Sequence, residues 1–506
     1  MNPSGFKANL RSHRRRNQPW TSPPVGSILA GLKTKMHSGS WFSSILLAAL
    51  QLHLAVAAPN PLPTPAPSKT LPQKRDISSW ASSVASGLPT DVAGGVLPAF
   101  QGLPSPDDIK KQLNLTDEAI DALPLEVLNI PTFANWTGNG WNVRIHGQAY
   151  KQPPANDSVL DHISSVFIAD LDVSQLNETG HRQSRNMSAL MLALPQDDER
   201  LNFTLTSPVS NNSLVIEFPA ATDSRGEFDA FIQLTSDMIP SNDSVMSWPM
   251  YTVNVNSGNS TVWFVPQKGV TILSDVDDIL RFTQIYVPQN GLYNSFAVPF
   301  TPWSDMPSVY AKWAQQNPNF HFHYLTTTPE PFTRQYVDFL NKYYPLGSFD
   351  DRPLNLTTYD QIFQIRKTNL ERFFHTFPNR SIVLVGDTSN GDIMRNYPQM
   401  ALDFPNTTAC ILIRNTSATD SSNHFPYNTK NFKDVPKEKY MFFRTTDDIR
   451  NLNFANGDCV NASVPQNVTF DYQGLPFDNN NGAFALTTTP SFMLMAATVL
   501  MLMTLL

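Results

Sequence analysis

No feature of the sequence limits this chain more than the run Val270-Thr271-Ile272-Leu273-Ser274, followed at once by Asp275, Asp277 and Asp278. A short apolar, β-branched run of this kind predicts a strand buried on both faces, as parallel strands are. Side chains alternate along an extended backbone, so Asp275 and Asp277 project to the same side just past the strand end, where open α/β sheets bind ligands. Two carboxylates about 4 Å apart repel by roughly 4 kcal/mol at an effective dielectric of about 20, so a bound cation or a shared proton is expected. Magnesium fits that demand, because it takes few protein carboxylates and accepts substrate phosphate oxygens.

A DxDD run also occurs on solvated turns. A second stretch of the same design shifts the balance: Ser381-Ile382-Val383-Leu384-Val385 runs into Gly386 and Asp387, with Asp392 close behind. Between the two lies Phe320-His321-Phe322-His323-Tyr324-Leu325, ending in Thr326-Thr327-Thr328-Pro329, so a hydroxyl stands where the other strands place carboxylates. His321 and His323 sit inside that strand, where packing or hydrogen bonding is expected rather than metal ligation. Helical patterns over Met306 to Gln316, Thr333 to Tyr344 and Tyr359 to Thr376 supply crossovers, the last carrying Arg366 and Lys367. Ala409 to Arg414 and Met441 to Phe443 supply further strands. Strands alternating with helices predict a parallel sheet with helices on both faces, and right-handed crossovers gather the acids at one edge.

Acid pair, hydroxyl, lysine and second acid pair, in that order, resemble the motif set of the haloacid-dehalogenase phosphatases. The DVDD strand, the near-absence of a cap insertion before Phe300-Thr301-Pro302-Trp303, the FHFHYL strand with its TTTP end and IVLVGDTSNGD look like the catalytic domain of the actin-patch-associated phosphatidate phosphatase family. The resemblance runs from about Pro266 to Cys459, and it departs at Ile279, where the family usually carries Thr. It implies that Asp275 attacks phosphorus and forms an aspartyl-phosphate, and that Asp277 protonates the leaving oxygen and later activates water. It further implies that Asp275, Asp387, Asp392 and the backbone carbonyl of Asp277 hold Mg2+. Thr326, with Thr328 as the alternative, would bind a phosphoryl oxygen. Lys367, with Arg366 as the neighbour able to replace it, would neutralise transition-state charge.

A chain of 506 residues with 41% hydrophobic residues exceeds one ordinary domain. Residues 1–57 read as a basic leader and a signal peptide ending in the small-x-small pattern Ala55-Val56-Ala57, an uncut anchor being the alternative. Residues 58–128 read as a Pro-rich linker and a helical segment, with Ser105-Pro106-Asp107-Asp108 as a cap. In 129–265 the period shifts toward two, as in Trp141, Val143 and Ile145, which predicts an antiparallel β-sandwich of about seven strands. The phosphatase-like domain occupies 266–460. Residues 461–506 read as a polar tail and a glycosylphosphatidylinositol attachment signal near Asn481, with a tail-anchoring helix as the alternative.

The net charge of −7, with basic residues concentrated near the amino end, argues against nucleic acid as a partner. Two cysteines, Cys410 and Cys459, suggest one disulfide, a buried free thiol being the other option. Sequons at Asn114, Asn135, Asn186, Asn259, Asn355, Asn406 and Asn467 agree with passage through the secretory pathway to the cell surface. Together these features predict a magnesium-dependent, lipid-anchored phosphatase, its phosphatidate substrate implied by the resemblance alone. A surface phosphatase for soluble phosphomonoesters and a non-catalytic glycoprotein are the alternatives, and the oligomeric state is not legible.

Overall fold

The computed structural model describes residues 105–475, apart from 168–172, 211, 236–238, 240–243, 317–318, 353–358, 424–428 and 474. The expected signal peptide, Pro-rich linker and attachment signal lie outside these residues. Among the described residues no helix is long and apolar enough to cross a membrane.

Two sheets organise the chain. The second is wholly parallel and six-stranded: β10 (Val270–Ser274), β11 (His321–Pro329), β12 (Ser348–Arg352), β13 (Ser381–Asp387), β14 (Thr408–Arg414) and β15 (Tyr440–Phe443), in the order β12-β11-β10-β13-β14-β15. The order reverses between β10 and β13, so the carboxyl ends of these two strands flank the crevice where such sheets take ligands.

Alternation along the strands splits the core into two layers. Ile272, Phe322, Tyr324, Val383 and Leu412 face the helices Met306–Gln316 and Thr333–Tyr343. Leu273, Leu325, Leu384 and Ile411 face Tyr359–Thr376 and Gly391–Asp403. Helices therefore cover both faces, as the sequence predicts. A Cβ at Gly386 would lie 2.8 Å from the side chain of Ile393, so glycine there lets the last helix close over the end of β13.

The first sheet differs from its expectation. Instead of a sandwich of about seven strands it is one hydrogen-bonded network of nine, β1 (Leu125–Asn129), β2 (Thr132–Trp136), β3 (Trp141–Lys151), β4 (Leu194–Pro195), β5 (Arg200–Thr206), β6 (Ser213–Ala221), β7 (Glu227–Leu234), β8 (Met246–Thr252) and β9 (Ser260–Val265). It is antiparallel except where β2 meets β9. Long β3 pairs with β1, β2, β4 and β7, and the network curls so that Phe203 and Phe218 pack on Phe228 across its core. The helices Asp157–Phe167 and Glu178–Leu190 interrupt it and join the core on the far side of the parallel sheet.

The helical reading up to residue 128 also stops short. Ser105 does cap the helix Pro106–Gln112 through a capping box with Asp108, but Leu125–Asn129 is a strand. Cys410 and Cys459 are bonded, with Cα atoms 5.4 Å apart, tying β14 to the segment that follows β15.

Candidate active site

β10 delivers Asp275 into the interior at the crevice, and the Asp275 amide donates to Val385 O at 2.9 Å, locking the strand end to β13. Asp387 ends β13 itself. Both side chains are almost wholly buried, Asp275 at 2% and Asp387 at 1% exposure. Burial, together with the nearby Asp277, pushes the Asp275 carboxyl up to about 6, against the pull of Arg366. Burial first, then the charges of Asp275 and Asp278, push Asp387 up to about 8, against the hydrogen bonds from Ser389. Two carboxyls that resist ionising beside one another mark a place short of positive charge.

Arg366, on the helix Tyr359–Thr376, answers part of that need. Its Nη2 lies 2.9 Å from Asp275 Oδ1, and both side chains are buried. Its Nε and Nη1 are also buried and lack a well-aligned acceptor among the described residues, the Tyr397 hydroxyl being the other group that interacts with the guanidinium. Lys367 does not reach the crevice: its side chain is 42% exposed and pairs with Glu371 at 3.6 Å. The basic side chain buried beside Asp275 is Arg366, one position earlier. The helical period carries the signal, because Arg366 falls on one stripe with the buried Leu370, Phe373 and Phe377.

Asp277 points into a cage of donors. Arg281 Nη1 donates at 3.0 Å, Thr283 Oγ1 at 2.8 Å and Tyr336 Oη at 2.9 Å, and the Thr326 and Thr328 hydroxyls lie 3.3 and 3.4 Å away. Thr326 thus stands at the crevice with Asp277, held by the Thr328 amide at 3.1 Å. Ile279 is fully buried in the apolar core, so Thr283, four positions on, brings a hydroxyl to Asp277.

Asp278 has another role. It adopts φ 56° and accepts the amides of Thr283, Gln284 and Ile285 at 3.1, 2.6 and 2.8 Å, turning the chain out of the strand. Asp392 is engaged by Arg395, and burial raises its carboxyl against the charge of Arg366. Asp275, Asp277, Thr326 and Asp387 thus gather at one sheet edge, while Asp392 pairs with Arg395 and feels the charge of Arg366.

The fit to a divalent cation follows from this donor set. Among the described residues no group of three or more His, Cys, Asp or Glu side chains is arranged to hold a metal ion. In the crevice between β10 and β13, Asp275 and Asp387 offer hard oxygens whose ionisation is opposed, which matches an ion bound through one or two carboxylates plus substrate phosphate. His321 and His323 are fully buried in hydrogen bonds, His323 Nδ1 at 2.8 Å and His321 Nε2 at 3.0 Å from Ser348 Oγ. They are packed, as expected of strand histidines.

Comparison with known proteins bears on this stretch. No curated protein sequence matches the chain. Among solved structures, Amycolatopsis cytochrome P450 reductase GcoB is 8% identical with a TM-score of 0.13, covering 64% of this chain and 71% of that one. A carbohydrate esterase is 9% identical with a TM-score of 0.17, covering 62% and 94%. A variant of ferredoxin-NADP+ reductase from Plasmodium falciparum is 9% identical with a TM-score of 0.13, covering 57% and 94%. Scores this low carry nothing about fold or function. Residues 270–415 do match one family model, and this stretch, which holds Asp275, Thr326, Arg366 and Asp387, belongs to the family described as phosphatidate phosphatase APP1, catalytic domain.

Proposed function

We propose that the chain is a magnesium-dependent phosphatase of the haloacid-dehalogenase type that hydrolyses phosphatidate to diacylglycerol and phosphate. One observation carries the reading: Asp275 and Asp387 lie buried at the switch point of a parallel sheet, with the Arg366 guanidinium on Asp275. The family membership of 270–415 supports the reaction and the lipid substrate. The strand order β12-β11-β10-β13-β14-β15 supports the fold type.

Asp275 is the nucleophile. Its oxygen bonds to phosphorus as the ester P–O bond breaks, and Asp277 gives the departing oxygen its proton. Asp277 then takes a proton from water, whose oxygen bonds to phosphorus as the bond to Asp275 breaks, restoring the enzyme. The Arg366 guanidinium stabilises the charge that grows on the phosphoryl oxygens. Thr326 orients a further oxygen. Asp275 and Asp387 would hold Mg2+, which when bound screens the phosphate from both carboxylates and lets it approach. Asp392 would complete or orient that shell, its charge also acting on Arg366.

We also place the protein in the secretory pathway, lipid-anchored at the cell surface. The Cys410–Cys459 bond suits an oxidising compartment, and Asn114, Asn186, Asn259, Asn406 and Asn467 are exposed for glycosylation. Asn135 is not open in the same way, since its amide donates to Thr376 O at 3.4 Å. Asn355 lies outside the described residues.

The test is phosphate release by the full chain from phosphatidate in mixed micelles, with Mg2+ or with chelator. Release that depends on Mg2+ and vanishes in Asp275→Asn supports the reading. Equal turnover of soluble phosphomonoesters without micelles would remove its lipid part.

A further inference from the structure

The cage around Asp277 is more elaborate than a nucleophile's neighbour needs. Tyr336 Oη accepts from Arg281 Nη1 at 2.7 Å, lies 2.9 Å from Thr328 Oγ1, and spends its one proton on Asp277. Arg281 is sandwiched by aromatic rings, 3.5 Å from the Phe300 centroid and 5.2 Å from that of Tyr336. Its second nitrogen donates to Asn294 O at 2.9 Å and Ser295 Oγ at 3.0 Å, in the helix Pro288–Phe296. Arg281 is 0%, Thr283 2% and Tyr336 3% exposed, and each spends a donor on Asp277.

Arg281, Thr283 and Tyr336 each donate to Asp277, and they come from two separate segments, the turn after β10 and the helix Thr333–Tyr343. Such a set fixes the carboxylate's rotation and leaves it the acceptor in each contact. An accepting, immobilised carboxylate suits the second half of the proposed reaction, in which a proton must be taken from water. We propose that Arg281, Thr283 and Tyr336 are positioning residues that hold Asp277 as the base for hydrolysis of the aspartyl-phosphate. This rests on the phosphatase reading given above.

The two half-reactions can be told apart with p-nitrophenyl phosphate, whose nitrophenolate leaves without a proton. Tyr336→Phe and Thr283→Val of the full chain are compared with wild type by rapid mixing, with circular dichroism as the check on folding. Losing one donor to a charged acceptor predicts a fall in steady turnover of about 10-fold or more. A burst approaching one nitrophenolate per active site should precede it, at a rate no slower than wild-type turnover. Should Tyr336→Phe fail to fold, Thr283→Val must show the burst alone. Wild-type turnover in folded variants, or lost turnover without a burst, overturns the positioning role and leaves the phosphatase reading intact. A wild-type protein that releases neither nitrophenolate nor phosphate overturns both.

Discussion

Replacing Arg366 and Lys367 in turn by methionine separates a buried charge from an exposed one on consecutive residues. Arg366→Met keeps most of the side chain's bulk and removes the guanidinium that lies 2.9 Å from Asp275 Oδ1, in a pair whose members are 1% and 3% exposed. Breaking a buried pair by deleting one partner costs about 3–5 kcal/mol, because the survivor is left charged and unsolvated. Lys367→Met removes an i,i+4 pair 3.6 Å long with side chains 42% and 39% exposed, which contributes about 0.3–0.5 kcal/mol. The catalytic contrast is as wide. A preorganised charge aimed at phosphoryl oxygens contributes about 100- to 1000-fold to turnover, so Arg366→Met should lose that much and Lys367→Met almost nothing. Urea unfolding and phosphate release, run on both variants in parallel, read the two effects. A Lys367→Met protein that loses activity while Arg366→Met keeps it would refute the reasoning, as would equal destabilisation by both.

Other outcomes follow from the same geometry. Asp351 is pushed up to about 7 from 3.8, chiefly by burial, with Asp350 adding to the shift and Thr333 opposing it. The folded chain then holds this proton more tightly than the unfolded one, a contribution complete below about pH 4 and lost as pH rises through 7. Asp351→Asn keeps the neutral form, so urea midpoints between pH 4 and 7 should fall less steeply with pH than in wild type. The Cys410–Cys459 bond closes a separation of 49 residues, and reduction should lower stability by about 4 kcal/mol on the loop-entropy scale, read by denaturant midpoint with and without reductant. If Asp275 and Asp387 hold Mg2+, the ion at 100 times its dissociation constant should stabilise the fold by about 2.7 kcal/mol, and the thermal shift should disappear in Asp387→Asn.

Much of the parallel sheet was legible because its central strands are apolar runs with abrupt polar ends. β10, β11 and β13 are buried along nearly their whole length, so little in their sequence competes with the strand signal. The helices Met306–Gln316 and Tyr359–Thr376 fell where their periodicity placed them. β12 was not legible. Its sequence, Ser348-Phe349-Asp350-Asp351-Arg352, reads as a solvated turn, yet all five residues are buried.

Partners distant in sequence make that possible. Arg144, 206 residues away, lies 2.5 Å from Asp350 and spans to Asp229 at 2.9 Å, while His323 stands 3.3 Å from Asp350. Burial works against the Asp350 charge, but the Arg144 cation and then the hydrogen bond with His323 hold its carboxyl well below the usual range. No local pattern announces such a network.

The same holds for the site. Asp275 and Asp387 could be read from their strands, whereas the choice of Arg366 over Lys367 depended on which face of the helix meets the sheet. Tyr336 and Arg281 depended on contacts across 59 and 4 positions, the first beyond any local window. The inserted helices between 157 and 190 were masked by the alternating strands on either side, whose period dominated the reading of the whole region.

Trapping the intermediate tests the nucleophile directly. Phosphatidate carrying a labelled phosphate is mixed with the full chain and Mg2+, the reaction is quenched in acid, and the labelled peptide is sequenced by mass spectrometry. The expected result is label on Asp275, lost on treatment with hydroxylamine and missing from Asp275→Asn. Phosphate released at the wild-type rate by Asp275→Asn, or label found on another residue, would contradict it.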